Sequence, residues 1–246
     1  AGKICVSDSD CQSGLTCDRS AGLCASTNSA SAQFTAASSS KAVAPKSSSI
    51  DVTTNFTFEA WIKPTSGSGN RNIFGRQNSA YRWRLVSSRG SDAGRVWLLL
   101  DYASGSYSTY ESASTVPLNT WTHVAVTFDS STGQIQFLIN GSVDKTVSGK
   151  SSPVSVSGWA NLEIGFYGAT NSEHFDGAMD ELRMWDVTRT PAEINSNMNK
   201  PLTGSESGLV GYWNAEGMMS STLTDQTSNG NDASTTSVTF SSDTPF

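Results

Sequence analysis

Over much of the chain, apolar and polar residues alternate in short runs separated by clusters of Ser, Gly, Asn and Asp. Phe56, Phe58, Ala60 and Ile62 alternate with Thr57, Glu59, Trp61 and Lys63 up to Pro64, a period of two that predicts a strand with one buried face. Comparable runs predict strands over 81–86, 96–101, 122–128, 134–139, 161–166, 178–185, 210–213 and 237–240. Between Gln134 and Val147, the pair Asn140-Gly141 can supply the two positive φ values of a tight hairpin turn. One helix is predicted, with Thr190 as cap, Pro191 in its first turn and Glu193 completing a capping box ahead of Ile194 and Met198. Many short strands, one short helix and no internal repeat predict an all-β fold, an antiparallel two-sheet β-sandwich of the jelly-roll kind.

The first residues break this pattern. Cys5, Cys11, Cys17 and Cys24 are the chain's only cysteines, and the segment that holds them has too few apolar side chains to form a core. An even number of cysteines so close together implies two disulfides and an oxidising compartment, so the chain is expected to be secreted. No pair has the close spacing usual in a structural zinc site. Three pairings are open; Cys5 with Cys17 and Cys11 with Cys24 is favoured, because joining neighbours would close two small loops without tying them together. The Ser- and Ala-rich run Ala25–Ser31 reads as a linker. It divides the chain into a disulfide-stapled segment, 1–27, and a jelly-roll domain, 28–246.

Composition narrows the partners. Seven Trp, ten Phe and six Tyr among 246 residues suffice to fill the space between two sheets. A formal charge of −6 disfavours nucleic acid, whose affinity depends on clustered Lys and Arg. No apolar run approaches the ~18 residues of a membrane span, so no membrane insertion is expected. Abundant acidic and amide oxygens suit hard cations, calcium foremost.

Three stretches in order, Phe56–Pro64, Trp121–Phe128 and Phe175–Trp185, followed by Thr190–Ile194 and Gly208–Gly217, resemble the laminin-G-like and pentraxin-like branch of the concanavalin-A-like lectin and glucanase superfamily. The resemblance covers residues 32–246 and leaves out the cysteine segment. It implies a sandwich that binds rather than catalyses. His123 opens a strand where the family carries a structural histidine.

Candidate chemistry falls into three groups. The run Asp225-Gln-Thr-Ser-Asn229-Gly-Asn231-Asp232 gathers the oxygens of a calcium loop but lacks the EF-hand register. In relatives this tail and the strand resembling Met179–Trp185 can meet at a calcium site, which implies Asp180 as partner of Asp225, Asn229 and Asn231. The competing reading is an Asx-turn that needs no ion; a bound calcium is expected to be structural. For ligand binding, Trp97, Tyr102, Tyr107 and Tyr110 lie in an aromatic and polar stretch suited to stacking on sugar rings. Val96, Leu98 and Leu100 point one way and Trp97 and Leu99 the other, while Arg82 and Arg84 alternate with Tyr81, Trp83 and Leu85 and reach the same surface as Trp97. For catalysis, the adjacent carboxylates Asp180 and Glu181 are expected on opposite faces of a strand, unlike a glycosidase pair. The leading expectation is therefore a secreted, calcium-containing module that binds an extracellular glycan or glycoprotein. An adhesion or protein-interaction module is the rival, and a glycan hydrolase or lyase the weaker alternative.

Overall fold

The computed structural model describes residues 15–18, 23–26, 28–76, 81–86, 94–103, 105–155, 160–216 and 221–246. The strands in chain order are β1 (Leu15–Asp18), β2 (Leu23–Ser26), β3 (Ser31–Phe34), β4 (Lys41–Ala44), β5 (Asn55–Pro64) and β6 (Arg71–Arg76). They continue with β7 (Tyr81–Val86), β8 (Arg95–Tyr102), β9 (Ser106–Thr115), β10 (Thr122–Asp129), β11 (Gln134–Ile139) and β12 (Ser142–Ser148). After β13 (Leu162–Ile164) and β14 (Gly177–Trp185) come the helix α1 (Pro191–Asn197) and the strands β15 (Leu209–Trp213), β16 (Thr222–Leu223), β17 (Ala233–Thr236) and β18 (Thr239–Ser241).

β1 and β2 form a separate two-stranded sheet in which Cys17 lies opposite Cys24. The expected bridges Cys5–Cys17 and Cys11–Cys24 fall outside the described residues. The remaining strands form two antiparallel sheets of eight strands each. The first runs β12-β11-β10-β5-β14-β3-β18, with β15 also pairing β14; the second runs β16-β17-β4-β13-β6-β7-β8-β9. This is the all-β sandwich with one short helix that the sequence predicts.

Aromatic rings join the layers. Phe58 of β5 lies with its ring centre 4.9 Å from that of Phe74 in β6 and 6.2 Å from that of Trp83 in β7. Edge-on and tilted approaches of this kind add to area burial. Asn140 and Gly141 both take positive φ, 48° and 74°, as the β11–β12 turn requires. Thr190 and Glu193 cap α1 reciprocally.

Two expectations need correction. β5 is buried on both faces, because Thr57, Glu59 and Trp61 are covered as well as the core residues. The 187–198 segment lies over that second face: the Thr57 hydroxyl donates to Val187 O, and Trp61 Nε1 donates to Met198 O at 2.7 Å. Beneath it sits His123, with Nε2 3.4 Å from Glu59 Oε2. Burial lowers the His123 pKa, opposed by its contact with the Glu59 carboxylate. The second correction concerns Asp180 and Glu181. β14 carries a bulge between Asp180 and Arg183, with Glu181 in the left-handed region at φ 52°. Asp180 stands opposite Trp61 and Arg183 opposite Glu59, so both face outward. Glu181, bonded to Arg183 Nη2 at 2.5 Å, joins them on that side. An inserted residue shifts the alternation by one, and the two carboxylates do not diverge.

Candidate functional site

The second sheet turns one face to the core and one outward. Tyr81, Trp83, Leu98 and Leu100 are fully buried, so their neighbours in sequence point away from the core. Register then assembles the outer surface. Arg82 lies opposite Leu99, which lies opposite Thr109; Arg84 lies opposite Trp97, which lies opposite Glu111; Asp101 lies opposite Tyr107. Cross-strand partners share a face. Arg82, Leu99, Asp101 and Tyr107, with Tyr167 from the connection after β13 and with Arg76 and Tyr81, line a cleft of about 390 Å³.

Its walls are held by stacking and ion pairs. The Arg82 guanidinium sits 3.9 Å from the centre of the Tyr167 ring, and that of Arg84 sits 3.9 Å from the Trp97 ring. Glu173 serves both, with Oε1 2.5 Å from Arg84 Nη1 and Oε2 3.8 Å from Arg82 Nη1. Gly75 lies opposite Arg82, where a β-carbon would stand 2.8 Å from Arg82 Cγ. A glycine there lets the arginine stem cross the strand. Glu163, opposite Gly75, accepts a hydrogen bond from Gly168 N at 2.8 Å. Burial raises its carboxyl above the ordinary range, opposed by the Gly168 hydrogen bond and by the charge of Arg82. Arg76 is buried and paired with Asp51. Among the described residues no hydrogen bond or ion pair engages the Asp101 carboxylate or the Tyr107 hydroxyl, and Tyr107 is 71% exposed.

Of the residues expected to bind ligand, Arg82, Arg84, Trp97 and Tyr107 share this surface, and Arg82 and Tyr107 line the cleft. Trp97 is 9% exposed because Arg84 lies across it. Tyr102 and Tyr110 belong elsewhere. Tyr102 is fully buried and shares a 2.9 Å hydrogen bond with the Tyr110 hydroxyl; burial pushes its phenol pKa up. Tyr110 lies opposite the inward Leu98 and packs against the core. Both follow the parity of the core residues, which excludes them from the outer face. Sequence reasoning missed Tyr167 and Glu173, which lie in a connection without periodicity.

The expected calcium ligands separate in the same way. Asp225 Oδ1 accepts from Tyr212 N and Thr227 N, and Oδ2 accepts from Thr227 Oγ1, Asn231 N and Asn231 Nδ2, all at 2.9 to 3.0 Å. Asn229 and Asn231 both donate to Val210 O, and Asn231 Oδ1 accepts from Ser49. The Asp225 oxygens and Asn231 Oδ1 are taken up by hydrogen bonds that pin the tail, and an ion there would have to displace them. Asp180 differs. Its Oδ1 accepts from Glu181 N, whereas Oδ2 is buried without a hydrogen bond among the described residues. The Asn28 side chain adjoins it, and the charges of Glu181 and Glu216 act on it. Burial, then repulsion from Glu181 and Glu216, push its carboxyl up to about 8. Glu216 ties down the start of the domain by accepting from Ser29 N and Ala30 N. A buried carboxyl oxygen without a hydrogen bond among the described residues, beside an amide side chain, is the kind of oxygen donor a hard cation takes, although no three His, Cys, Asp or Glu side chains converge as a ready metal cluster among the described residues.

Comparison with known proteins gives a family and a fold. A laminin G model described as concanavalin A-like lectin/glucanases superfamily matches residues 36–195. No curated protein matches. Among solved structures, a candidate carbohydrate-binding protein from Bacteroides ovatus ATCC 8483 superposes with a TM-score of 0.71 at 22% identity, over 87% of this chain and 59% of that one. This chain therefore spans less than two thirds of that protein's length. The binding domain of Paraclostridial Mosquitocidal Protein 1 superposes at 0.50, with 14% identity over 68% of this chain and 45% of that one. The pentraxin of Limulus polyphemus, a native heptamer, gives 0.49 and 17% identity over 68% and 81%.

Proposed function

Because this chain belongs to the concanavalin A-like lectin/glucanases superfamily, we propose that it is a lectin-like module that binds a glycan on the outer face of its second sheet and carries out no reaction there. One observation carries the reading: the cleft of about 390 Å³ sets an exposed tyrosine, a carboxylate without a partner among the described residues and a stacked arginine on one open surface. An aromatic face packs against the C–H groups of a sugar ring, while carboxylate and guanidinium meet its hydroxyls. The similarity of the whole sandwich to a candidate carbohydrate-binding protein supports the same reading. Among the described residues Asp101 is the one carboxylate lining the cleft, whereas glycoside hydrolysis ordinarily uses two across the scissile bond.

The proposal extends to a secreted protein, from its cysteine-rich start, and to one structural calcium. The ion would be held by Asp180 with Asn28 and neighbouring oxygens, in place of the Asp225 loop. Its role would be to relieve the crowded carboxylates and to bind the start of the domain to β14. A glycan array screened with the intact chain tests the function, followed by an assay for reducing ends released from each glycan bound. Binding without new ends is expected. New reducing ends would make the protein an enzyme, and a silent array would transfer the role to a protein partner.

A further inference from the structure

We infer that the cleft takes an uncharged sugar and discriminates against uronic, sialic and sulfated ones, an inference that rests on the glycan-binding reading above. It follows from where the charges stand. An acidic sugar is held by a guanidinium or ammonium group whose charge is free to meet it. Here the guanidinium groups of the surface already face carboxylates. Glu173 pairs with Arg84 at 2.5 Å and lies 3.8 Å from Arg82, Glu163 is close enough for its charge to act on Arg82, and Asp51 pairs with Arg76. Glu111 adds a further carboxylate opposite Trp97. Of the charged groups described as lining the cleft, Asp101 is the one without a partner among the described residues, and its charge is negative. An incoming carboxylate or sulfate would meet that charge inside a partly enclosed cleft, with no surplus cation among the described lining residues to offset it, where like charges repel more strongly than in open water.

The same groups suit hydroxyls. No hydrogen bond to a described residue uses the Arg82 N–H groups, although stacking on Tyr167 at 3.9 Å holds the guanidinium in place. Arg82 therefore offers donors only, and Asp101 acceptors only. They flank Leu99, which lies opposite Arg82 and two residues before Asp101 on β8. A pair of neighbouring hydroxyls, each able to donate and accept, satisfies both sides of such a site. Tyr107, opposite Asp101 and 71% exposed, is placed to cover the apolar face of the same ring.

The test compares matched ligands on the intact chain by titration calorimetry. Neutral pentose and hexose oligosaccharides are set against counterparts carrying uronate, sialate or sulfate groups, at low and at physiological salt. The neutral ligand is expected to bind at least tenfold more tightly than its acidic counterpart, and the gap should widen at low salt. Asp101→Asn should narrow the gap, since it removes the repelling charge and keeps the shape, with thermal melting used to verify that the variant folds. A merely structural Asp101 would leave the neutral-to-acidic ratio unmoved, and that result overturns the inference. Equal or tighter binding of the acidic glycans would overturn it too while leaving a glycan-binding protein. Absence of binding to either class would remove the glycan reading itself, and the inference with it.

Discussion

Tyr107 and Asp225 mark two extremes of what one side chain does in this molecule. Tyr107 stands 71% exposed beside the cleft, its side chain largely outside the core. Tyr107→Ala should therefore weaken glycan binding about tenfold or more, the usual cost of removing an aromatic anchor, while the melting temperature stays within a degree or two. Asp225 is buried and accepts hydrogen bonds from Tyr212, Thr227 and Asn231. Replacing it by Ala leaves those donors unsatisfied and should lower stability by roughly 2–4 kcal/mol, measured by chemical denaturation, with or without calcium present. Glu163 gives a pH dependence with a definite sign. Its pKa is raised in the folded chain, so the folded form holds the proton more tightly than the unfolded form. The stability it contributes is complete below the ordinary carboxyl value of 4.5 and is lost as pH rises through the higher folded value. Denaturation midpoints measured from pH 4 upward should show this decline, and Glu163→Gln should make it shallower, the remainder coming from the raised carboxyl of Asp180.

Whole elements show how local rules are kept or overridden. α1 has seven residues and depends on its ends, because so short a helix has few internal hydrogen bonds. Thr190→Ala removes a cap that both accepts from Glu193 N and orients the Glu193 carboxylate. The expected cost is about 1 kcal/mol, read as a shift of denaturation midpoint with the sugar affinity unchanged, since α1 lies over the opposite sheet from the cleft. β14 breaks the rule of alternation on which its sequence reading rests. Gly177 opens it at φ 138°, with its α-carbon so close to the backbone of Lys63 and Pro64 that a side chain has no room. The bulge at Glu181 then turns two acidic residues to one face, where Tyr212 and Arg183 hold Glu181 and leave Asp180 with an oxygen unbonded among the described residues. β5 departs in the other direction, since its outer face looks polar in the sequence and is covered by the 187–198 segment.

For the molecule as a whole, the proposed calcium makes a claim about stability. An ion that binds only the folded form raises its stability in proportion to the logarithm of its concentration, by about 2.7 kcal/mol at a hundred times the dissociation constant. For a chain of this size that corresponds to roughly 5–10 °C in melting temperature. Calcium should give this rise, a chelator should reverse it, and Asp180→Asn should abolish it while Asp225→Ala keeps it. If neither calcium nor chelator moves the transition, Asp180 has no ion.

What the sequence determined by itself is whatever depends on neighbours along the chain. The period of two in Phe56–Ile62 and in Val96–Leu100, the Asn140-Gly141 turn and the Thr190–Glu193 cap all act within a few residues, and the all-β sandwich follows from their sum. Even the choice of outer face at Trp97, Arg82 and Arg84 is legible there, because alternation alone fixes it. Tertiary structure decided what depends on partners distant in sequence. It bonded the Tyr102 and Tyr110 hydroxyls to each other, tied up Asp225 and Asn231 in a turn, and brought Tyr167 and Glu173 from a connection without periodicity up to Arg82 and Arg84. A side chain's chemistry depends on which charges and donors surround it, and those arrive only when strands far apart in the chain are set in register.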